Sequence, residues 1–279
     1  MKTRVITGIV ALLILVPFLI FSHTPAYTVL AVVVSLIGVF EMIRCQKKIK
    51  VAQVTITSLA YAAITPVLCR HVTMGHDFMT IFMALTSLYM LLCFAYAVFS
   101  KGKIEFIPTA TTVASCIYVV FGFSCILVLR DWEYGGFIFL LPFLSAWVSD
   151  SAAYFTGKAL GKTKLIPDVS PNKTVEGAAG GVTVTAIFMV VYGLIVRFAF
   201  EVGVNFVGLI LLGVMLSVVS MIGDLIASLI KRHYKIKDYS HIFPGHGGVL
   251  DRFDSVLATA PMTFIVLTVF TYSPLFFKL

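Results

Sequence analysis

Charged side chains are scarce in this chain. Asp, Glu, Lys and Arg make up 12% of its 279 residues, about half the share of a soluble domain, and the mean hydropathy is +1.02. There is too little polar surface to cover a globule in water, which excludes a soluble fold. Paired cysteines are also missing. Cys45, Cys69, Cys93, Cys116 and Cys125 stand alone, mostly in apolar runs, with no Cys-x-x-Cys; they read as small buried hydrophobes, not as disulfides or zinc ligands. There is no internal repeat, no low-complexity tract and no connection long enough for a separate soluble domain. The net charge of +8 therefore has no basic domain with which to bind nucleic acid, and suits the anionic head groups of a lipid bilayer instead.

What is present is a series of apolar runs, at roughly 5–21, 26–43, 52–69, 77–99, 106–129, 134–156, 176–199, 204–230 and 256–277. Each spans or nearly spans about 30 Å of hydrocarbon. The expected fold is all-α, a polytopic membrane protein with about nine transmembrane helices. The first run starts as a signal peptide does, and Thr24-Pro25-Ala26 mimics a cleavage site, but the many spans that follow favour an uncleaved first helix. Seventeen of the 21 cations fall at the N-terminus and in the loops after even-numbered spans; Arg70, Arg130, Arg197 and Lys278 fall on the other side. This bias places the N-terminus in the cytoplasm and the C-terminus outside. Residues 1–105 read as scaffold, and 106–279 as the catalytic region with cytoplasmic loops 157–175 and 231–255.

Only 13 carboxylates exist, so their positions are informative. Asp77, Glu105, Asp131, Glu133 and Glu201 lie in loops or at span ends and read as solvated. Glu41, three residues before Arg44, reads first as an interfacial ion pair. Asp150 and Asp224 sit inside apolar runs, where a carboxylate is expensive and is usually paired, metal-bound or facing a wet cavity. Asp224, Ser228 and Lys231 share one helical face, and so do Asp251 and Asp254. Such oxygens suit Mg2+, which takes a few carboxylates and keeps water or phosphate oxygens as its other ligands. The plain alternatives are a buried ion pair for Asp224 and helix N-terminal acids for Asp251 and Asp254.

Two polar stretches carry the remaining signal. Ser228–Asp254 is an island of 27 residues with five cations, three carboxylates, three histidines and Gly245-His246-Gly247-Gly248, a backbone that can approach a ligand closely. Ser149–Gly177 is basic and contains glycine. Within it Ser170-Pro171 reads as a helix start, with Ser170 as N-cap and Pro171 at the first helical position. Asn172, Lys173 and Thr174 then fall in the first turn, where free N–H groups, an ammonium and hydroxyls make an anion site. Gly177, Gly180 and Gly181 allow close helix packing.

Ser228–Asp254 resembles the motif of the phosphatidate cytidylyltransferases (CDP-diacylglycerol synthases) at every defined position: Ser228, Lys231, Arg232, Lys237, Asp238, Ser240, Phe243, Pro244, His246, Gly247, Gly248, Asp251, Arg252 and Asp254. Ser170–Gly177 is similar to a second block of that family, departing from it at Asn172 and Val175. The resemblance implies a plasma (inner) membrane enzyme that transfers CMP from CTP to phosphatidate, needs a divalent metal and forms a homodimer. With the active site facing the cytoplasm, Asp224 and Asp251 would hold Mg2+, assisted by Asp254 or Asp150, and a second cation has room. Lys173, Lys231, Arg232, Lys237 and Arg252 would bind triphosphate and lipid phosphate; Ser170, Asn172, Thr174, Ser228, His246, Gly247 and Gly248 would supply polar contacts. A CTP-dependent polyprenol kinase and, in another class, a membrane transporter are the alternative readings.

Overall fold

A computed structural model describes residues 16–17, 19–46, 52–71, 78–101, 103–245, 247–270 and 277–278. Helices dominate: α1 (Pro25–Gln46), α2 (Ala52–His71), α3 (Phe78–Phe99), α4 (Phe106–Arg130), the short α5 (Gly135–Ile138), α6 (Leu141–Leu160), α7 (Val175–Phe200), α8 (Phe206–His233), the short α9 (Leu250–Phe253) and α10 (Val256–Val269). Seven stretches are long and apolar enough to cross a membrane: α1 to α4, Gly135–Leu160, α7 and α8. They match seven of the nine expected spans. Most of the first expected span, 5–21, lies outside the described residues. The last appears as α10, whose 14 residues are fewer than the roughly 20 a spanning helix needs; residues 271–276 beyond it also lie outside.

Within this helical chain the segment 157–175, expected as a loop, carries a short hairpin. Strand β1 (Lys164–Ile166) pairs antiparallel with β2 (Ser170–Thr174), with Lys164 opposite Thr174 and Ile166 opposite Ser170. A second pair of two-residue strands, β3 (Gly203–Val204) and β4 (Phe277–Lys278), is also antiparallel.

The chain divides into two compact units, each built from two separate segments. These are units of packing and do not follow the functional division expected at residue 105. The first holds residues 1–133 and 233–253. In it α4 is the most enclosed helix, and Val39, Met42, Val54, Phe78, Val119 and Leu127 are buried. Lipid tails are as apolar as these side chains, so polar contacts and close packing have to hold spanning helices together. Ser58 with Tyr89 (2.8 Å) and Tyr61 with Thr86 (2.7 Å) join α2 to α3, and the Thr112 hydroxyl donates to Gln46 Oε1 (2.7 Å), joining α4 to α1.

At the end of α2, Arg70 donates from Nε to Asp131 Oδ2 (2.9 Å) and from Nη2 to Asp131 Oδ1 (3.0 Å); Thr28 Oγ1 and the Ser22 carbonyl accept its remaining bonds. Asp131 is thus the two-pronged partner of a buried arginine while remaining exposed, as its position at a span end implied. The five cysteines are buried, as expected.

The second unit holds residues 134–232 and 254–279. Helices α6 and α7 form its most extensive packing, and glycine is the reason. A Cβ on Gly177 would meet the Ala153 carbonyl oxygen at 2.7 Å and Gly157 Cα at 3.2 Å. Only hydrogen at this point lets the two backbones touch. Ser149 and Ser217 share a 2.7 Å hydroxyl contact that ties α6 to α8.

Candidate functional site

In the second unit, four separate stretches of sequence bring polar groups together. Helix α6 contributes Asp150, β2 contributes Lys173, α8 contributes Asp224, Ser228 and Lys231, and the segment leading into α10 contributes Asp254 and Ser255. Lys173 Nζ lies 2.7 Å from Asp224 Oδ2 and 3.4 Å from the Met221 carbonyl oxygen. The Ser228 hydroxyl reaches toward Asp224 Oδ1 at 3.5 Å, the one-turn neighbour its spacing predicted. Ser255 Oγ donates to Asp150 Oδ2 at 3.1 Å. The chain passes close to α8 here because Gly223 has no side chain; a Cβ would meet the Asp254 carbonyl oxygen at 2.9 Å. Burial first, and then the neighbouring charge of Asp224, pushes the Asp254 carboxyl up to about 7, against the opposing pull of the Ser255 N–H and Lys231.

Lys173 arrives by a different local structure from the one expected. Ser170 does not cap a helix. Residues 170–174 are extended, and α7 begins at Val175, with the Thr174 hydroxyl accepting from Gly177 N at 3.1 Å. Thr174 wins as N-cap because pairing with β1 keeps residues 170–174 in the β region until Thr174, where the Val175 N–H still bonds the Thr163 carbonyl at 2.9 Å. Pro171, which lacks an N–H, is tolerated in a strand on a sheet edge. The Glu176 carboxylate accepts from the Lys162 and Thr163 N–H groups at 3.0 and 3.1 Å, fixing the turn that leads into the hairpin. Ser170 is partly buried and Asn172 exposed.

In the first unit, Asp251 on α9 accepts from Tyr239 N (2.8 Å) and Gly248 N (3.0 Å), both through Oδ2. These bonds hold the Gly-rich turn in shape. Gly247 has φ +83°, a left-handed conformation that favours glycine, and its Cβ position lies 2.7 Å from that same Oδ2. Lys237 and Arg252 are exposed, as is Arg232 of the second unit. His246 lies outside the described residues.

The sequence reading missed Glu41. It is 1% exposed and does not pair with Arg44, which is exposed. Instead Glu41 Oε1 accepts from the Ser240 hydroxyl and from Val249 N (3.0 Å), and Oε2 accepts from Leu250 N (2.8 Å). The available signal was a carboxylate inside an apolar run, the same signal that singled out Asp150 and Asp224.

A profile of the cytidylyltransferase family matches residues 2–270. The chain belongs to this family. Among its relatives, the phosphatidate cytidylyltransferase of Bacillus subtilis is 32% identical over 97% of this chain and 99% of its own length. Those of Staphylococcus haemolyticus and Staphylococcus aureus are 35% and 34% identical, each over 96% of this chain and 99% of their own. Among the described residues no three His, Cys, Asp or Glu side chains form a group that could hold a metal ion by themselves; the acids of the second unit, Asp150, Asp224 and Asp254, are hard oxygen donors of the kind Mg2+ takes together with phosphate and water oxygens.

Proposed function

We propose that this protein is a phosphatidate cytidylyltransferase, joining CTP and phosphatidate to give CDP-diacylglycerol and pyrophosphate at the cytoplasmic face of the plasma membrane. The observation that carries the reading is the meeting of Lys173 with Asp224 beside Asp150, Asp254 and Lys231, in a chain similar to enzymes of that name from end to end. Acids and cations interleaved at the ends of apolar helices are what two polyanionic reactants need. One of those reactants is a lipid whose phosphate stays in the head-group plane. The excess of cations on one side supports a cytoplasmic N-terminus and site.

A phosphate oxygen of phosphatidate attacks the α-phosphorus of CTP. A new P–O bond forms, the bond from the α-phosphorus to the oxygen bridging toward the β-phosphorus breaks, and pyrophosphate leaves with that electron pair. The nucleophile is already anionic, so no base is required, and the barrier is charge repulsion and alignment. Lys173, Lys231, Arg232, Lys237 and Arg252 neutralise and orient the phosphates. Ser170, Asn172, Thr174, Ser228 and His246 add polar contacts, and Gly247 and Gly248 let backbone N–H groups approach an oxygen.

Asp224, with Asp254 or Asp150 assisting, would hold Mg2+ in the second unit, and Asp251 would lend a carboxylate in the first. The backbone bonds on Asp251 Oδ2 orient that carboxylate as outer partners orient a metal ligand. The ion, when bound, supplies charge neutralisation and a fixed geometry for phosphate oxygens; a second cation and a homodimer belong to the same proposal.

The test is transfer of label from [α-32P]CTP into phosphatidate by detergent-purified protein with Mg2+. Asp224→Asn and Asp251→Asn are expected to abolish it while the protein stays folded. A γ-phosphate moving into a prenol instead would replace the proposal with a kinase.

A further inference from the structure

We propose that Glu41 is a positioning residue for the reaction: a buried carboxylate on α1 that sets the conformation of the Ser240–Asp251 segment. This rests on the cytidylyltransferase reading for its link to turnover, and on geometry alone for its link to the segment.

The contact is built from both sides. Glu41 offers only acceptors, and it meets only donors: the Ser240 hydroxyl and the Val249 and Leu250 N–H groups. Buried bonds to a charged acceptor are stronger than neutral ones, and costly to leave unmade. Gly248 has no side chain at the point where one would collide with Glu41; its Cβ position also lies 2.7 Å from Ser240 Oγ. One turn before Glu41 on the same helix, Gly38 makes room for Leu250, whose Cδ2 lies 3.1 Å from the Cβ position of Gly38. Helix α1 thus presents a notch and an acid to one dipeptide, Val249-Leu250.

The same segment is held from its other side by Asp251, through Tyr239 N and Gly248 N. Two carboxylates grip adjacent N–H groups, Asp251 that of Gly248 and Glu41 those of Val249 and Leu250. Gly247 directly precedes the gripped N–H groups, and Asp251 and Arg252 directly follow them. If Gly247, Gly248 and Arg252 meet phosphate, their spacing is set by Glu41, which acts through the backbone.

Glu41→Gln keeps the size but replaces one acceptor oxygen by an amide N–H2, which must face either Leu250 N or the Ser240 hydroxyl and Val249 N, each a donor. The expected result is a fall in kcat of about tenfold to a hundredfold, KM for CTP changing by less than threefold, and faster amide hydrogen exchange confined to 239–251. Ser240→Ala and Gly248→Ala should produce the same local exchange signature, and they decide the matter if Glu41→Gln does not fold. Unchanged exchange at 239–251 in the folded variants overturns the proposal, and so does wild-type kcat per folded molecule. Exchange is read without substrate. If the wild-type protein transfers no cytidylyl group, the functional reading fails while the exchange arm still judges Glu41.

Discussion

Replacing Lys173 by Met removes the ammonium that stands 2.7 Å from Asp224 Oδ2 and leaves the backbone hairpin intact. In the proposed site Lys173 holds the place on Asp224 that a divalent cation would take, so the two would compete. At 2.7 Å and an effective dielectric of about 20 the bare attraction is about 6 kcal/mol. The side chains are 21% and 29% exposed, and solvent at both ends lowers the net coupling to about 1–2 kcal/mol.

Removing the competitor should therefore tighten Mn2+ binding about 5- to 30-fold in the absence of CTP. The assay is Mn2+ titration of detergent-purified protein followed by electron paramagnetic resonance. Cytidylyl transfer should move the opposite way, falling at least about a hundredfold as the cation proposed to bind phosphate is lost. Asp224→Asn in the same background should erase the gain in Mn2+ affinity. Equal or weaker Mn2+ binding by folded Lys173→Met protein would refute the competition.

Two further outcomes follow from the same unit. Gly177→Ala puts a methyl 2.7 Å from the Ala153 carbonyl oxygen. The α6–α7 contact should open at a cost of about 1–3 kcal/mol, seen as a lower melting temperature in detergent together with lost turnover; an unchanged melt would show that the backbones yield freely. For Asp254, the folded carboxyl titrates near 7 against about 3.9 unfolded, so the folded state binds the extra proton between those values. Its contribution to stability is full below about pH 4 and is lost as pH rises through about 7. Melts of metal-free protein should fall across that window, and Asp254→Asn should flatten the slope; a slope untouched by the substitution would exclude Asp254 as its source.

Much of this was legible in the residues. Asp150 and Asp224 stood out because an acid in an apolar run needs a compensating partner, and Lys173 and Ser255 are such partners. The helix pairing at Gly177, Gly180 and Gly181 was equally readable. The start of α7 was not, because Ser170 and Thr174 are both good caps and only the strand pairing with Lys164–Ile166 decides between them. Glu41 was not legible, because Arg44 offers a nearby explanation while its actual partners lie 199 to 209 residues away; the Arg70 partner of the exposed Asp131, 61 residues away, was hidden by the same kind of distance.

The reach of Glu41 has a consequence for biosynthesis. Its helix emerges about 200 residues ahead of Ser240, Val249 and Leu250, which at about 5–20 residues per second is a wait of roughly 10–40 seconds. During that interval the final donors of Glu41 do not yet exist, so the contact that holds Val249-Leu250 against α1 can form only late in synthesis. Chains cut short before Ser240 would lack it altogether.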